Sequence, residues 1–501
     1  TYSVTDFQLS DLVSQKSIDR REKQSIEIHY SDLPIFSDYK DSISQRGYDI
    51  VYDSKWLNGV ICSSAELDLS NLSSFSFIEN IEYFGFFPDS VSNGSRQQNK
   101  FEELSDSYGD AFNQIEMLQG HDLHKLGYMG QGIDVAVLDA GFRNAFYVDG
   151  LKHLFQNNQI LGTWDYVDQE ESVYEDNYHG MSVLSTMASD LENQFIGMSP
   201  RANYWLLRTE NVFIENLIEE YYWLVAAEFC DSIGIDIINS SLGYTTFDSD
   251  TQNHSYADLD GFTTPISKAA TYAARKGMIV CSSAGNSGND SWYYISAPAD
   301  ADSIITVGSV DQNRDVSSFT SRGPSADGRL KPTVSAQGGN TTIYNPNNTI
   351  NTSNGTSFSS PIIAGMTACL WQANYEKTAQ EIIGAIVESS HLVNDPNFDI
   401  GNGIPNFSIA NAILKVGDVN TPSLEVYPNP VLNNSITYVF VNPSSTSVKV
   451  YDFLGKLLYH NPLDQNIGLY QLSLPYLNNG TYILAVESES LVLTKKIVVL
   501  D

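Results

Sequence analysis

Four short stretches of the chain carry the residue types needed for nucleophilic attack on a carbonyl: Asp139, His179, Asn286 and Ser357. Such chemistry needs a hydroxyl, a base to take its proton, a carboxylate to orient that base, and donors for the oxyanion. Asp139 ends the apolar run Val135-Ala136-Val137-Leu138 and is followed by Ala140-Gly141. That pattern predicts a carboxylate at the carboxyl edge of a strand. His179-Gly180 opens a helical pattern over 179–188, so the imidazole is aimed off a helix N-terminus. Ser357 lies in Gly355-Thr356-Ser357-Phe358, four residues before Pro361. Proline suits the first position of a helix, which predicts Ser357 just ahead of that end, where dipole and free N–H groups favour negative charge. Asn286 follows the apolar run 278–282 through Ser283-Ala284-Gly285, and its amide is a candidate oxyanion donor.

Each residue alone has an ordinary explanation. A strand-end Asp is commonly a turn residue, Asn-Ser-Gly is a turn, and Ser before a helix is an N-cap. With eight His in the chain, one at a helix start is usually structural, and Met181, Leu184 and Met187 beside it read as core. The four together, each at the end or start of a predicted element, are not explained that way. No Gly-x-Ser-x-Gly surrounds Ser357, so the strand–turn–helix nucleophile of α/β-hydrolases is excluded.

The elements that must position these residues are strands near 133–138, 204–208, 235–239, 278–282 and 304–307, with helices near 179–188, 213–231, 265–276 and 361–374. Short apolar runs separated by helices predict a parallel sheet covered on both faces, with chemistry at the carboxyl ends of its strands. Before it, residues 1–88 read as strand 25–30, helix 38–46, strands 48–53 and 56–62, helix 65–72 and strand 75–83. That is the ferredoxin-like β-α-β-β-α-β order. A polar linker is expected over 89–104. After a second linker at 416–424, short β segments at 435–441, 447–451, 456–460, 468–473, 480–486 and 491–500 predict a small β-sandwich.

Composition narrows the function further. In 501 residues, Lys+Arg number 27 against Asp+Glu 61, a formal charge of −34. That balance repels phosphate backbones and excludes nucleic acid as a partner. No run approaches the ~18 apolar residues of a membrane span. Cys62, Cys230, Cys281 and Cys369 lack CxxC spacing and leave three pairings open; Cys281 reads as a small core residue. The chain opens at Thr1 without a charged-then-apolar leader, so a signal peptide has been removed or the sequence was trimmed.

At these residues the chain resembles the subtilisin-like serine peptidases, whose triad order is Asp, His, Ser. The resemblance spans the whole middle block, 105–415. It is carried by Tyr108-Gly109, Gln114-Ile115, Leu123-His124, Gly127-Tyr128 and Gly130, then Val135 to Gly141, His179-Gly180, Ser240-Ser241-Leu242-Gly243, Ser283-Ala284-Gly285-Asn286 and Gly355-Thr356-Ser357. It implies a hydrolase: Ser357 as nucleophile, His179 as general base then acid, Asp139 as orienting carboxylate and Asn286 as oxyanion-hole side chain, with the Ser357 N–H. Ser240, Ser241, Leu242 and Gly243 look like an edge strand that pairs with an extended substrate; Ser282, Ser283, Ala284 and Gly285 border the specificity pocket. Where the family often has Thr-His after the His-Gly pair, this chain has Met181-Ser182, a change in helix packing rather than chemistry.

The flanks resemble something narrower. Arg20-Arg21, Asp32-Leu33-Pro34 and Ser54 to Val60 are similar to the propeptide of Bacteroidetes subtilases, which implies a chaperone and inhibitor that the enzyme itself removes. Val426-Tyr427-Pro428-Asn429-Pro430, Leu454-Gly455, Gly480-Thr481-Tyr482 and Lys495 to Val499 resemble a type IX secretion sorting domain over 425–501. The expectation is a secreted or surface-attached endopeptidase acting on proteins or peptides, with the secretion machinery as a partner. No cofactor is required by this chemistry. Calcium is possible as a structural ion at Asp248-Ser249-Asp250, Asp300-Ala301-Asp302 or Asp311 to Asp315, although solvated surface acids are the simpler reading. His121 and His124 read as fold residues. The competing class is an adhesin on a protease-like scaffold, and such a scaffold should have lost one of the four site residues.

Overall fold

The computed structural model describes residues 2–64, 69–84 and 108–416, and in the C-terminal block 423–432, 435–441, 445–462, 467–474, 477–488 and 492–499. The linker expected over 89–104 lies outside them, as does most of the one expected over 416–424. The chain divides into two compact units, 1–383 with 390–405, and 384–389 with 406–501.

The N-terminal block begins with helices α1 (Gln15–Lys23) and α2 (Ser37–Ser44), followed by an antiparallel hairpin of β1 (Asp49–Ser54) and β2 (Gly59–Ser63). The ferredoxin-like expectation is corrected here. Among the described residues, 25–30 and 75–83 form no strands, and the hairpin is the only sheet of this block. Their apolar side chains are spent otherwise. Ile26 packs at Gly277 of the middle block, and Phe75, Phe77, Ile78 and Ile81 cover Ile50, Val60 and Cys62 of the hairpin without a ladder. Apolar alternation reports burial on one side, and that burial is satisfied here without strand pairing.

The middle block holds seven strands, β3 (Asp134–Asp139), β4 (Ile160–Asp165), β5 (Asn203–Arg208), β6 (Ile237–Ser240), β7 (Ile279–Ser283), β8 (Ile305–Val310) and β9 (Val334–Gln337). They form one sheet in the order β9-β8-β7-β6-β3-β5-β4, and every pairing is parallel. Helices α3 (His179–Ala188), α4 (Ile218–Ile233), α5 (Pro265–Arg275) and α6 (Thr356–Ala373) pack on it. The five central strands fall within two or three residues of their expected places because each is buried along nearly its whole length and carries a short apolar run. The edge strands β4 and β9 were not expected. Ile160-Leu161-Gly162-Thr163-Trp164-Asp165 and Val334-Ser335-Ala336-Gln337 carry no long apolar run.

The N-terminal block sits on α4 and α5 through buried charge. Asp231 near the end of α4 accepts from Arg20 at 2.5 Å and Arg21 at 2.6 Å, and Asp32 accepts from Arg21 at 2.9 Å and Lys276 at 2.7 Å. Glu228 accepts from Ser54 Oγ at 2.5 Å, Lys55 N at 3.0 Å and Trp56 N at 3.1 Å. The Glu228 carboxylate caps the entry to the β1–β2 turn, where Asn58 takes a positive φ of 50°. Removing one member of such a buried ion set leaves the others uncompensated.

In the second unit, seven strands from Ser423–Leu432 to Val492–Val499 form two ladders that share the first strand. That strand pairs with Ser435–Val441 from Ser423 to Tyr427 and again at Leu432, and meets Val499 at Val431. Pro428 and Pro430 lie between, where a missing N–H costs no ladder bond. Leu424, Val426 and Leu472 of one ladder pack with Val448, Val450, Leu484 and Ile497 of the other, the two-layer core expected of a sandwich.

Candidate active site

Asp139 is the last residue of β3, fully buried, with its carboxylate at the carboxyl end of the sheet. One oxygen, Oδ1, accepts from His179 Nδ1 at 2.7 Å and from the Ala140 N–H at 2.8 Å. His179 is the first residue of α3, and Asn177 Oδ1 accepts from its backbone N–H at 2.8 Å. The close approach of helix to strand depends on Gly180. A Cβ there would stand 2.7 Å from the Gly141 carbonyl oxygen and 2.9 Å from Asp139 Cβ. Burial alone would lower the imidazole pKa, but the charge and hydrogen bond of Asp139 override it and push it up to about 9.

Ser357 is placed differently from the expectation. Helix α6 begins at Thr356, so Ser357 lies inside its first turn and Pro361 inside the helix rather than at its start. An internal proline has no N–H for the carbonyl four residues back. That carbonyl belongs to Ser357, and Ser241 Oγ donates to it at 2.9 Å. The helix thus starts early because a side chain from the β6 end supplies the bond the proline cannot. The first turn faces the imidazole, with the rings of Phe358 and His179 5.9 Å apart. Among the described residues Ser357 Oγ is not hydrogen-bonded to His179; catalytic contacts of this kind are commonly long without substrate and tighten in the complex.

Asn286 is exposed just beyond β7. Its Oδ1 accepts from Thr356 N at 2.9 Å and Thr356 Oγ1 at 3.0 Å. That fixes the amide so that Nδ2, which donates to no described residue, is turned free. Gly355, at φ 150°, keeps the space in front open. A Cβ there would lie 3.7 Å from the Ser357 nitrogen and 3.8 Å from Asn286 Nδ2, between the two expected oxyanion donors. Thr356 was not singled out from the sequence, although it stands inside the Gly-Thr-Ser motif.

The remaining expected residues gather at the same end of the sheet. Ser240 is interior, paired to Leu138 and Ser282 on its two sides, with its Oγ taken by Trp223 Nε1 at 3.0 Å. The expectation of an edge strand over 240–243 is therefore corrected: Ser240 is inside the sheet, and 241–243 lie beyond the end of β6 in no strand. Ser282 and Ser283 end β7, Ser283 Oγ reaches the Leu242 carbonyl at 3.4 Å, and the Gly285 N–H donates to Thr356 Oγ1 at 3.2 Å. Ala284 is buried and its N–H donates to the Val307 carbonyl at 3.0 Å.

Asp300 accepts from Ser267 Oγ at 2.5 Å and Gly261 N at 2.7 Å, Asp311 closes a turn on Asn313 N at 2.8 Å, and Asp248 and Asp250 are exposed. Among the described residues one carboxylate trio, Asp165, Asp168 and Asp176, is close enough to share an ion. Arg208 Nη1 already fills it, at 2.6, 2.6 and 3.1 Å. His124 is tied between the Tyr108 hydroxyl at 3.1 Å and the Met198 carbonyl at 2.8 Å, and burial lowers its pKa to about 4, a fold role as expected. All four cysteines are free thiols, and Cys281 is buried in β7. Among the described residues no helix is long and apolar enough to cross a membrane.

The sequence matches three family models: the Subtilase family over residues 130–403, the Peptidase S8 propeptide domain, Bacteroidota, over 2–102, and the Secretion system C-terminal sorting domain over 425–500. It is similar to serine protease AprX of Bacillus subtilis, 32% identical over 282 residues covering 50% of this chain and 60% of that protein. It is also similar to subtilisin DY of Bacillus licheniformis, 27% identical over 59% of this chain and 97% of the other. Subtilisin E of Bacillus subtilis is 26% identical over 74% of this chain and 85% of its own length. Among solved structures it is similar to the MycP3 protease from the type VII (ESX-3) secretion system, at TM-score 0.47 and 17% identity, over 61% of this chain and 91% of that one. With its site residues gathered at the carboxyl end of a parallel sheet and the family model matching more than half its length, the chain belongs to the subtilase family.

Proposed function

We propose that Ser357 attacks the carbonyl carbon of a peptide bond while His179 takes the hydroxyl proton. The observation that carries this reading is the 2.7 Å bond from His179 Nδ1 to the buried Asp139 carboxylate, which fixes the tautomer and leaves Nε2 as the base. The oxyanion is received by Asn286 Nδ2 and the Ser357 N–H on the two sides of Gly355. His179 then gives its proton to the leaving amine, and water hydrolyses the acyl-enzyme by the reverse sequence. Protein groups supply every step, so no cofactor is needed, and calcium, if bound, serves the scaffold.

The protein is a subtilisin-like serine endopeptidase of the exported kind, with a propeptide domain ahead of the peptidase and a type IX sorting domain behind it. The propeptide acts as inhibitor and folding template, and the enzyme cuts it away itself. Supporting this, the carbonyl of Phe84, the last described residue of the N-terminal block, accepts from Gln252 Nε2 at 2.9 Å. A binding-only adhesin has no observation in its favour, since Asp139, His179, Asn286 and Ser357 are all present. The test is cleavage of a peptide library and of the chain's own linker by wild type and Ser357→Ala. Loss of the nucleophile costs about 10⁶ in kcat, so the variant should stay a full-length precursor; a purified variant that still matures would rule out self-processing.

A further inference from the structure

A group of carboxylates beside the triad has no part in the steps above. The Thr209 N–H donates to the Asp139 carbonyl at 3.0 Å, so Glu210 follows directly from the catalytic strand pair. Glu219, in the first turn of α4, accepts from the Asn211 N–H at 2.6 Å. Glu215 is tied to Asp248 in both directions, its N–H donating to Oδ2 at 3.2 Å and its carbonyl accepting from the Asp248 N–H at 2.8 Å. These bonds pin the loop 209–215, with Glu210 beside Asp139 and His179, and Glu215 and Glu219 behind Glu210. Among the described residues none of the three meets a Lys or Arg. Arg208 is taken up by Asp165, Asp168 and Asp176, and His254 is paired with Glu220.

A second observation is independent of that acidity. The Tyr244 side chain is 1% exposed and its hydroxyl has no hydrogen-bond partner, although it faces Glu219, Glu210 and Glu215. Glu219 Oε2, in a side chain that is also 1% exposed, is equally unpartnered. Buried polar atoms left unpaired are costly, and here two of them belong to the same acidic group. Burial first, and then neighbouring carboxylates, push Glu210 and Glu215 up to about 7 and Glu219 up to about 10, although His179 and Arg208 pull Glu210 the other way. A single metal ion does not answer the need, because these oxygens are not among the groups lying within 4.8 Å of one another. A guanidinium or ammonium on a flexible stem reaches spread acceptors.

We propose that Glu210 and Glu215, backed by Glu219 and the Tyr244 hydroxyl, form a subsite for a Lys or Arg side chain of the peptide substrate. The assignment rests on the peptidase reading. Ser241 touches the nucleophile's residue at 2.9 Å, and Tyr244 is three residues further on, at most ~10 Å of extended chain. The basic residue therefore lies two to four positions from the scissile bond. The chain's net charge of −34 draws such substrates in from solution.

The test measures kcat/KM of the matured enzyme on peptides carrying Lys, Arg, Gln or norleucine at each of the four positions on either side of one fixed bond. At one position Lys or Arg should win by about tenfold, and the ratio should shrink toward one in 1 M salt and in Glu210→Gln and Glu215→Gln variants. The wild-type and salt arms stand even if a variant fails to fold. Equal cutting of basic and neutral peptides at every position would overturn the subsite and leave the peptidase intact. A preference that survives both substitutions would overturn these residues as its source. An enzyme that cuts no peptide would overturn the subsite and the peptidase reading together.

Discussion

Ser241 Oγ donates to the carbonyl of Ser357 at 2.9 Å, the carbonyl that Pro361 leaves without its helical N–H. The chain segment expected to hold the substrate is thereby fastened to the residue expected to attack it. Ser241→Ala strands a part-buried acceptor, at a cost of about 1–3 kcal/mol. Adding Pro361→Ala restores an N–H four residues on and should recover most of that loss. Denaturant melts of the four combinations in a Ser357→Ala background check this; two additive losses would contradict it.

The His179 pKa sets the pH dependence. The base must be neutral to accept a proton, so kcat/KM rises with pH through that pKa. Asp139 raises it from 6.5 toward about 9 against the opposite pull of burial, which puts the ascending limb above pH 6.5. Asp139→Asn removes the raising charge and keeps the burial, so the limb should fall below 6.5 while kcat drops by about 10⁴. A wild-type limb below 6.5 would contradict the pairing.

Asn286→Ala deletes the free amide donor without touching base or nucleophile. A loss of about 10²–10³ in kcat with KM little changed is expected. Thr356→Val, which releases Asn286 Oδ1 from its 3.0 Å hydroxyl bond, should act in the same direction by about tenfold. Equal kcat for wild type and Asn286→Ala on one peptide would remove Asn286 from the oxyanion site.

Asp231 holds Arg20 and Arg21 in a buried ion set between α1 and α4. Asp231→Ala leaves Arg20 buried without a carboxylate and Arg21 with Asp32 alone, and should cost about 3–5 kcal/mol of docking. In full-length Ser357→Ala protein, hydrogen exchange across Gln15–Lys23 should then rise while the central strands β3 and β5 stay protected. Unchanged protection of α1 would show that the ions do not hold the block in place.

The candidate site was legible because its residues sit where element types change. Asp139 ends an apolar run, His179 starts a helical one, and Asn286 and Ser357 lie in small-residue loops, so each position was marked locally. The central strands were legible for the same reason. What escaped depends on contacts between distant residues. The start of α6 at Thr356 depends on Ser241, more than a hundred positions earlier. Strands β4 and β9 are held by one neighbour each and carry no run of their own. The segments 25–30 and 75–83 are apolar because they lie against other surfaces, and alternation cannot distinguish that from pairing in a sheet. The Arg208 trio joins Asp165, Asp168 and Asp176 through three separate elements, with no motif to announce it.

Active-site labelling tests the account most directly. Matured wild-type protein is treated with a fluorophosphonate, digested and mapped by mass spectrometry, beside His179→Ala and Asn286→Ala. A single phosphonyl adduct on Ser357 is expected, formed far more slowly without His179 and more slowly without Asn286. An adduct on another serine, or labelling of Ser357 at the same rate without His179, would contradict it.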